Sequence, residues 1–170
     1  MNEILEALRK AVREGCWHPA LALALTLPDT CAHVAGEKQG RARYIAWCEK
    51  YLVPAYIVPL GPLRTPAVFM SGNDCYQLRC AYLHSGEFEL DDPKAQTVLS
   101  RFRFVAPPIG MTIHRNRIND ALQLQVSEFC EEMAAAVEAF LRDVSGDPDC
   151  QTRLARLASI EVSKNGTFSV

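Results

Sequence analysis

Apolar residues recur at every third or fourth position along much of this chain, the spacing that places side chains on one face of an α-helix. Ile4, Leu5, Leu8 and Val12 follow it near the N-terminus, and Gly15 supplies a stop. A first helix over about residues 2 to 14 is therefore predicted. A long alanine-rich helix ending near Asp143 is predicted from Phe129, Met133, Val137, Phe140 and Leu141.

Two more apolar runs lie between these helices. The first begins after Pro19, and Pro28 should break or kink this second helix before a short continuation that ends at Gly36. The second run predicts a third helix over about residues 41 to 52. A loop is predicted next, because proline and glycine recur at Pro54, Pro59, Gly61, Pro62 and Pro66.

A small β region is predicted at about residues 100 to 126, before the last long helix. Arg101–Val105 alternates with period two, a proline and glycine turn follows, and Met111–Arg115 can return as the second strand of a β-hairpin. Leu122, Leu124 and Val126 also alternate, which extends the hairpin to a three-stranded meander. The predicted fold class is mainly α.

Length and composition favour one domain with a real core, since the chain has 170 residues and 49% hydrophobic composition. We place a helical domain at 1–146, with the β region as an insertion. Residues 147–170 are predicted to form a tail, with a short helix around Leu154 to Leu157 and a loose end.

Several features indicate a cytoplasmic protein without a membrane segment. The seven cysteines are odd in number and include no C-x-x-C pair, which is typical of reduced core thiols. The N-terminus carries acids where a signal peptide carries basic residues, and no apolar run reaches membrane-spanning length. A net charge of −2 argues against bulk electrostatic coating of nucleic acid, so a nucleic-acid site must be local.

Familiar catalytic patterns are absent from the sequence. It holds no phosphate-binding G-x-x-x-x-G-K-[ST] loop, no H-E-x-x-H, no G-x-S-x-G and no G-x-G-x-x-G. Its four histidines are widely separated, so a metal site would need distant ligands. We therefore expect no metal and no cofactor.

The pattern that remains is an arginine and a histidine on a predicted fourth helix, within Tyr76-Gln-Leu-Arg79-Cys-Ala-Tyr-Leu-His84-Ser-Gly86. Ser71, Asn73 or Asp74 can cap this helix, and Gly86 is well placed to end it. Arg13 and His18 have the same spacing, but Gly15 and Pro19 break any helix there.

This stretch resembles the R-x4-6-H motif of HEPN (higher eukaryotes and prokaryotes nucleotide-binding) domains. The resemblance implies an antiparallel helical bundle and a homodimer whose active cleft lies at the two-fold axis. It also implies a metal-independent endoribonuclease that leaves a 2′,3′-cyclic phosphate, in a toxin or phage-defence role, with an antitoxin or regulatory protein as partner. HEPN nucleases often carry Asn, Asp or His directly after the arginine, where this chain has Cys80. Many HEPN relatives are catalytically inactive and serve as nucleotide-binding or dimerisation modules. That alternative stays open.

The implied chemistry assigns a role to each residue of the pair. Arg79 would neutralise charge on the phosphate oxygens, and His84 would act as a general acid or base toward RNA, whose 2′-hydroxyl is the nucleophile. In the last turn of a helix, the dipole favours an imidazolium, which suits an acid. The plain alternative is a surface ion-pair partner and a hydrogen-bonded rim residue.

Helical geometry gives a separate reason to expect a dimer. At about 100° per residue, positions 79 and 84 point about 140° apart on a straight helix. Asn73, Gln77, Cys80 and His84 instead form one polar stripe, so a second copy would be needed to concentrate the groups. Asn73 and Gln77 are therefore predicted substrate contacts.

The predicted hairpin offers a second RNA contact. Arg101 and Arg103 share one strand face, and Arg115 and Arg117 follow on the return, so one face would be an arginine-rich phosphate grip. The alternative is that these charges protect an exposed strand edge from pairing.

Overall fold

The structure is a computed structural model that describes residues 1–37, 40–88, 101–119 and 121–160, with only the backbone of Arg101. Its α-helices are α1 (Asn2–Arg13), α2 (Trp17–Val34), α3 (Arg41–Tyr51), α4 (Gly72–Cys80), α5 (Val126–Asp143) and α6 (Pro148–Ala155). Its strands are β1 (Ile57–Leu60), β2 (Thr65–Val68), β3 (Arg101–Val105), β4 (Asn116–Ile118) and β5 (Ala121–Gln125). The described part is mainly helical, as the apolar spacing predicted.

Helix α2 lies at the centre of the core because it is apolar on most of its sides. Buried residues fall on every turn from Ala20 to Val34. Such a helix needs neighbours on several sides, and α1, α3, α5 and α6 supply them. Helix α5 instead buries one stripe, including Phe129, Met133 and Val137, and covers α2 with that face.

Pro28 lies inside α2, which continues without a break to Val34. Proline lacks the N–H that would bond the carbonyl four residues earlier, so it weakens a helix locally. Here the side chain is buried in the core, and the hydroxyl of Tyr44 on α3 donates to the Leu25 carbonyl at 3.0 Å. The prediction that Pro28 breaks the helix is therefore wrong, and burial of Pro28 in the core stabilises the helix around it.

Strands β1 and β2 form a two-stranded antiparallel hairpin where the prolines predicted a loop. Pro59 pairs with Pro66, and Ile57 pairs with Val68. Proline is tolerated on an edge strand, because its missing N–H faces solvent, and both strands of a two-stranded sheet are edges. The loop prediction is wrong for these eight residues for that reason.

The second sheet lies where the β region was predicted, but its topology differs from a hairpin or meander. Its order is β3-β5-β4, with β3 parallel to β5 and β4 antiparallel to β5. Pairing of Phe102 with Leu122 places the apolar faces of both strands on the core. The predicted return strand at 111–115 is not a strand; the chain crosses there to the far edge of β5.

Helix α6 packs against α2 after the chain leaves α5. Asp147 caps it, accepting from the backbone N–H groups of Asp149 (2.9 Å) and Cys150 (3.1 Å). Cys150 is buried in the common core, and Arg153 Nε donates to the Val34 carbonyl at 2.6 Å. The predicted loose end after residue 160 lies outside the described residues. Among the described helices, none combines the length and hydropathy needed to cross a bilayer.

Candidate active site on the α4 helix

Helix α4 is fixed at its start by a capping box. Ser71 Oγ accepts from the backbone N–H of Asp74 at 3.1 Å, and Asp74 Oδ2 accepts from the Ser71 N–H at 2.8 Å. Burial raises the Asp74 pKa, against the hydrogen bonds from Ser71 that lower it. Gly72 allows close packing on α3, because a Cβ there would lie 2.7 Å from the Ile45 carbonyl oxygen. Arg79 therefore projects from a rigid helix.

A π-helical turn, Ala81–Ser85, continues α4 and ends at Gly86, whose φ of +71° is left-handed. Hydrogen bonds in a π-helix join residues five apart, so residues at that separation lie on one side. Nη1 of Arg79 accordingly lies 3.3 Å from Nε2 of His84. The prediction that the two residues point about 140° apart is wrong, because it assumed a regular α-helix. The pair meets within one chain.

The hydrogen-bonding role of Nε2 of His84 follows from its partner. A guanidinium can only donate hydrogen bonds, so Nε2 of His84 is the acceptor and carries no proton in this arrangement. The side chain is exposed at the surface. An unprotonated ring nitrogen suits a general base, whereas the helix dipole alone predicted an acid.

Arg79 is also held by Asp29 on α2, with Nη2 3.2 Å from Oδ2. The other oxygen of Asp29 lies 3.6 Å from Nη2 of Arg43. Partial burial of the Arg79 guanidinium opposes its charge, but the Asp29 carboxylate and the Cys80 thiol outweigh this and raise its pKa. The arginine is therefore a permanent cation, oriented by a carboxylate that sequence reasoning did not identify. The sequence feature that could have indicated it is Asp29 itself, an acid within the otherwise apolar run that forms α2.

Two further groups adjoin the pair. Tyr82 lies in the same π-helical turn, and its hydroxyl is 2.7 Å from Nδ1 of His18 at the start of α2. Burial raises the pKa of the Tyr82 phenol. Cys80, next to Arg79, is half-buried, and it raises the pKa values of Tyr76 and Arg79.

Asn73 and Gln77 are both half-buried on α4, before Arg79 on the same helix. The Asn73 side-chain oxygen accepts from Nη2 of Arg41 at 2.6 Å, and the Arg41 guanidinium lies over the Tyr76 ring. Asn73 is therefore engaged with α3.

The four arginines of the β region do not share one face. Arg103 is exposed and pairs with Gln123, whereas Arg117 pairs with Leu122, whose side chain faces the core. Paired residues project from the same face of a sheet, and neighbouring residues of a strand project from opposite faces. The side chains of Arg103 and Arg117 therefore leave the sheet on opposite faces. Arg115 bonds Glu132, and the Arg101 side chain lies outside the described residues. Arg103, Arg115 and Arg117 therefore do not form one arginine-rich face, and the part of the prediction that concerns the Arg101 side chain lies outside the described residues.

Glu132 on α5 organises a second polar cluster beneath the sheet. It accepts from Arg115, from the Tyr56 hydroxyl in the 3₁₀ turn Val53–Tyr56, and from His114 at 3.1 Å. Nδ1 of His114 accepts from the Gln125 backbone N–H at 3.2 Å, so the ring proton is on Nε2, which donates to Glu132. These bonds hold the segment before β4 against α5, so Arg115 is engaged with Glu132.

Within the described ranges, no three His, Cys, Asp or Glu side chains are grouped so that they could hold a metal ion. No family model, curated protein or solved structure matches the chain.

Proposed function

We propose that the protein is a metal-independent endoribonuclease that resembles HEPN nucleases and uses Arg79 and His84. The 3.3 Å contact between Arg79 and His84 carries this proposal. It joins a permanent cation to an unprotonated imidazole on an exposed turn, as cleavage of RNA by its own 2′-hydroxyl needs.

In the proposed reaction, Nε2 of His84 takes the proton of the 2′-hydroxyl, and the resulting oxygen attacks phosphorus. The bond from phosphorus to the 5′-oxygen breaks, giving a 2′,3′-cyclic phosphate and a 5′-hydroxyl. Arg79 binds the non-bridging oxygens, on which charge increases in the transition state. A substrate phosphate would draw Arg79 away from His84 and free the base.

The homodimer is part of this proposal, but the need to bring Arg79 and His84 together is not the reason for it. Because Arg79 and His84 already meet in one chain, no second copy is needed to pair them. A second proton transfer must still protonate the departing 5′-oxygen, and His84 of a second copy, released from its own Arg79 and protonated, would supply that proton at a two-fold cleft. The proposed setting is the cytoplasm, with a toxin or phage-defence role and an antitoxin or regulatory partner.

One observation favours a second function, an inactive HEPN-type module for nucleotide binding or dimerisation. Asp29 already occupies the guanidinium of Arg79 at 3.2 Å, so a substrate phosphate must compete with a carboxylate. Cys80 is also a weaker hydrogen-bonding group than the residues that HEPN nucleases often carry there.

Cleavage of single-stranded RNA in excess EDTA tests the enzyme proposal. We expect cyclic phosphate ends with the wild type and loss of at least a hundredfold in rate with H84A and R79A. H33A and R13A are matched controls, because His33 and Arg13 are exposed on other helices. Intact RNA with every variant, together with measurable nucleotide binding, would favour the inactive module.

A further inference from the structure

A cavity of about 220 Å³ lies beside the candidate site, between the start of α2, the end of β3 and the start of α5. Trp17, His18, Phe88, Phe104, Ala106 and Val126 line it. No Lys, Arg, Asp or Glu is among its described lining residues. A ligand held there must therefore be bound by apolar and ring contacts rather than by ion pairs.

Stacked rings connect this cavity to the π-helical turn. The rings of His18 and Tyr82 lie 6.2 Å apart and 6° from parallel, and those of Tyr82 and Phe88 lie 5.3 Å apart and 4° from parallel. The outer members of this stack, His18 and Phe88, line the cavity. Tyr82 is two residues before His84 along the same turn, so one short turn carries both a member of this ring stack and a member of the Arg79–His84 pair.

We propose that the cavity is a subsite for one unpaired nucleobase of the RNA strand that the Arg79–His84 pair contacts. This inference rests on the proposed function. Proteins hold unpaired bases mainly by stacking on aromatic side chains, which every base permits. Pockets for drug-sized ligands measure about 300–1,000 Å³, so this smaller cavity suits a single ring system.

The polar edge of the cavity also fits a base. Trp17 and Val126 are the first residues of α2 and α5, and neither helix has a side-chain hydrogen bond at its N-cap. The N-terminal end of a helix favours electron-rich groups, such as the carbonyl edge of a base. His18 adds an exposed ring whose orientation is fixed by Tyr82.

Fluorescence of Trp17 gives a binding test that does not depend on cleavage. A 2′-O-methyl tetranucleotide cannot undergo 2′-hydroxyl attack, so it binds without being cleaved. We expect it to quench the tryptophan fluorescence of the wild type until binding saturates. The fluorescence of W17F, which comes from Trp47, should not change. Ribose 5-phosphate, which lacks a base, should have no effect. AMP and UMP test whether the cavity takes a base within a strand or a free nucleotide. If their affinity is at least tenfold below that of the tetranucleotide, the cavity binds a base within a strand. Equal affinity would overturn the proposal.

A variant that fills the cavity tests its location. Ala106 is exposed and lines the cavity, so A106W should block it without disturbing the core, and A106S is the matched control. We expect A106W to weaken tetranucleotide binding about tenfold, the order of one stacked base. If the wild type cleaves RNA and A106W binds normally, the subsite is overturned and the function stands. Binding that A106W weakens, in a protein that cleaves nothing, supports the subsite and overturns the nuclease.

Discussion

Oδ2 of Asp29 lies 3.2 Å from Nη2 of Arg79, so the guanidinium proposed to bind an RNA phosphate already holds a carboxylate. This contact joins α2 to the last turn of α4, and it directs the arginine toward His84. A carboxylate in this position both orients the cation and competes with its substrate.

Asp29→Asn separates those two effects, because it keeps the size of the side chain and removes its charge. We expect KM for RNA to fall, since phosphate no longer competes with a carboxylate. We expect kcat to fall about tenfold, since Arg79 is less firmly oriented. Steady-state kinetics on a fluorescent RNA measure both. D143N removes an exposed acid that pairs with Lys50 and serves as control, and an unchanged kcat in D29N would contradict the orienting role.

Gly86→Ala tests the π-helical turn. A left-handed φ of +71° costs an alanine on the order of 1 kcal/mol, and a Cβ there meets nothing within 4 Å, so strain is the whole effect. We expect both the melting temperature and the rate of RNA cleavage to fall. Gly110 has a φ of +86° with equally open surroundings, so G110A should lose stability and keep activity. Equal losses of activity in G86A and G110A would contradict a specific role of the π-helical turn in activity.

Glu132 should make the fold sensitive to acid. Burial opposes its charge, but hydrogen bonds from His114, Tyr56 and Arg115 outweigh burial and lower its pKa. A carboxyl with a lower pKa in the folded state stabilises the fold above its unfolded pKa, and this stabilisation is lost as pH falls through the folded value. The free energy of unfolding should therefore decrease below about pH 4.5.

Glu132→Gln should lower the free energy of unfolding by about 3 kcal/mol at neutral pH, because it leaves buried donors without a charged acceptor. The difference from the wild type should shrink in acid. Urea unfolding at several pH values measures it, and E128Q, on the exposed face of the same helix, should follow the wild type throughout. A constant difference from neutral to acidic pH would argue against the linkage.

Mixed dimers distinguish pairing within a chain from pairing between chains. When R79A and H84A chains are co-expressed, no chain of the mixed dimer keeps both residues of the pair. The 3.3 Å contact within one chain predicts that the mixed dimer cleaves RNA no faster than either parent variant. Tandem affinity tags would isolate the mixed dimer for the assay, and recovery of activity would show that the functional pair forms across the two-fold axis.

Local patterns predicted α1, α3 and α5, because each depends on residues close together in sequence, whereas they predicted a break in α2 and placed the last helix too late in the chain. The spacing of Leu5 and Leu8 and the capping residue Ser71 were sufficient for α1 and α4. Strand pairing depends on partners far apart, so nothing near Phe102 indicates that its neighbour is Leu122 in a parallel strand. The hairpin at Pro59 and Pro66 was missed because proline in a sequence reads as a break, although edge strands accept it.

The sequence predicted that Arg79 and His84 share one helical segment, but it did not predict how their side chains meet. Arg79 and His84 were identified from spacing and setting, but the conversion of an α-helix to a π-helix has no sequence pattern of its own. Asp29 was missed because its contact with Arg79 joins two helices that are far apart in the sequence, α2 and α4. The arginines near the sheet looked alike in sequence, and nothing near Arg115 in the sequence indicates that it pairs with the partly buried Glu132 of α5.

The close approach of α4 to α3 at Gly72 has an evolutionary consequence. With the Ile45 carbonyl oxygen only 2.7 Å from the position of a Cβ, any side chain would push the two helices apart. Descendants of this chain should therefore keep glycine at 72 for as long as they keep the fold, whatever becomes of Arg79 and His84. A lineage that has lost Arg79 and His84 but kept Gly72 would be one in which selection retained the packing of α4 on α3 after the activity of the pair was lost.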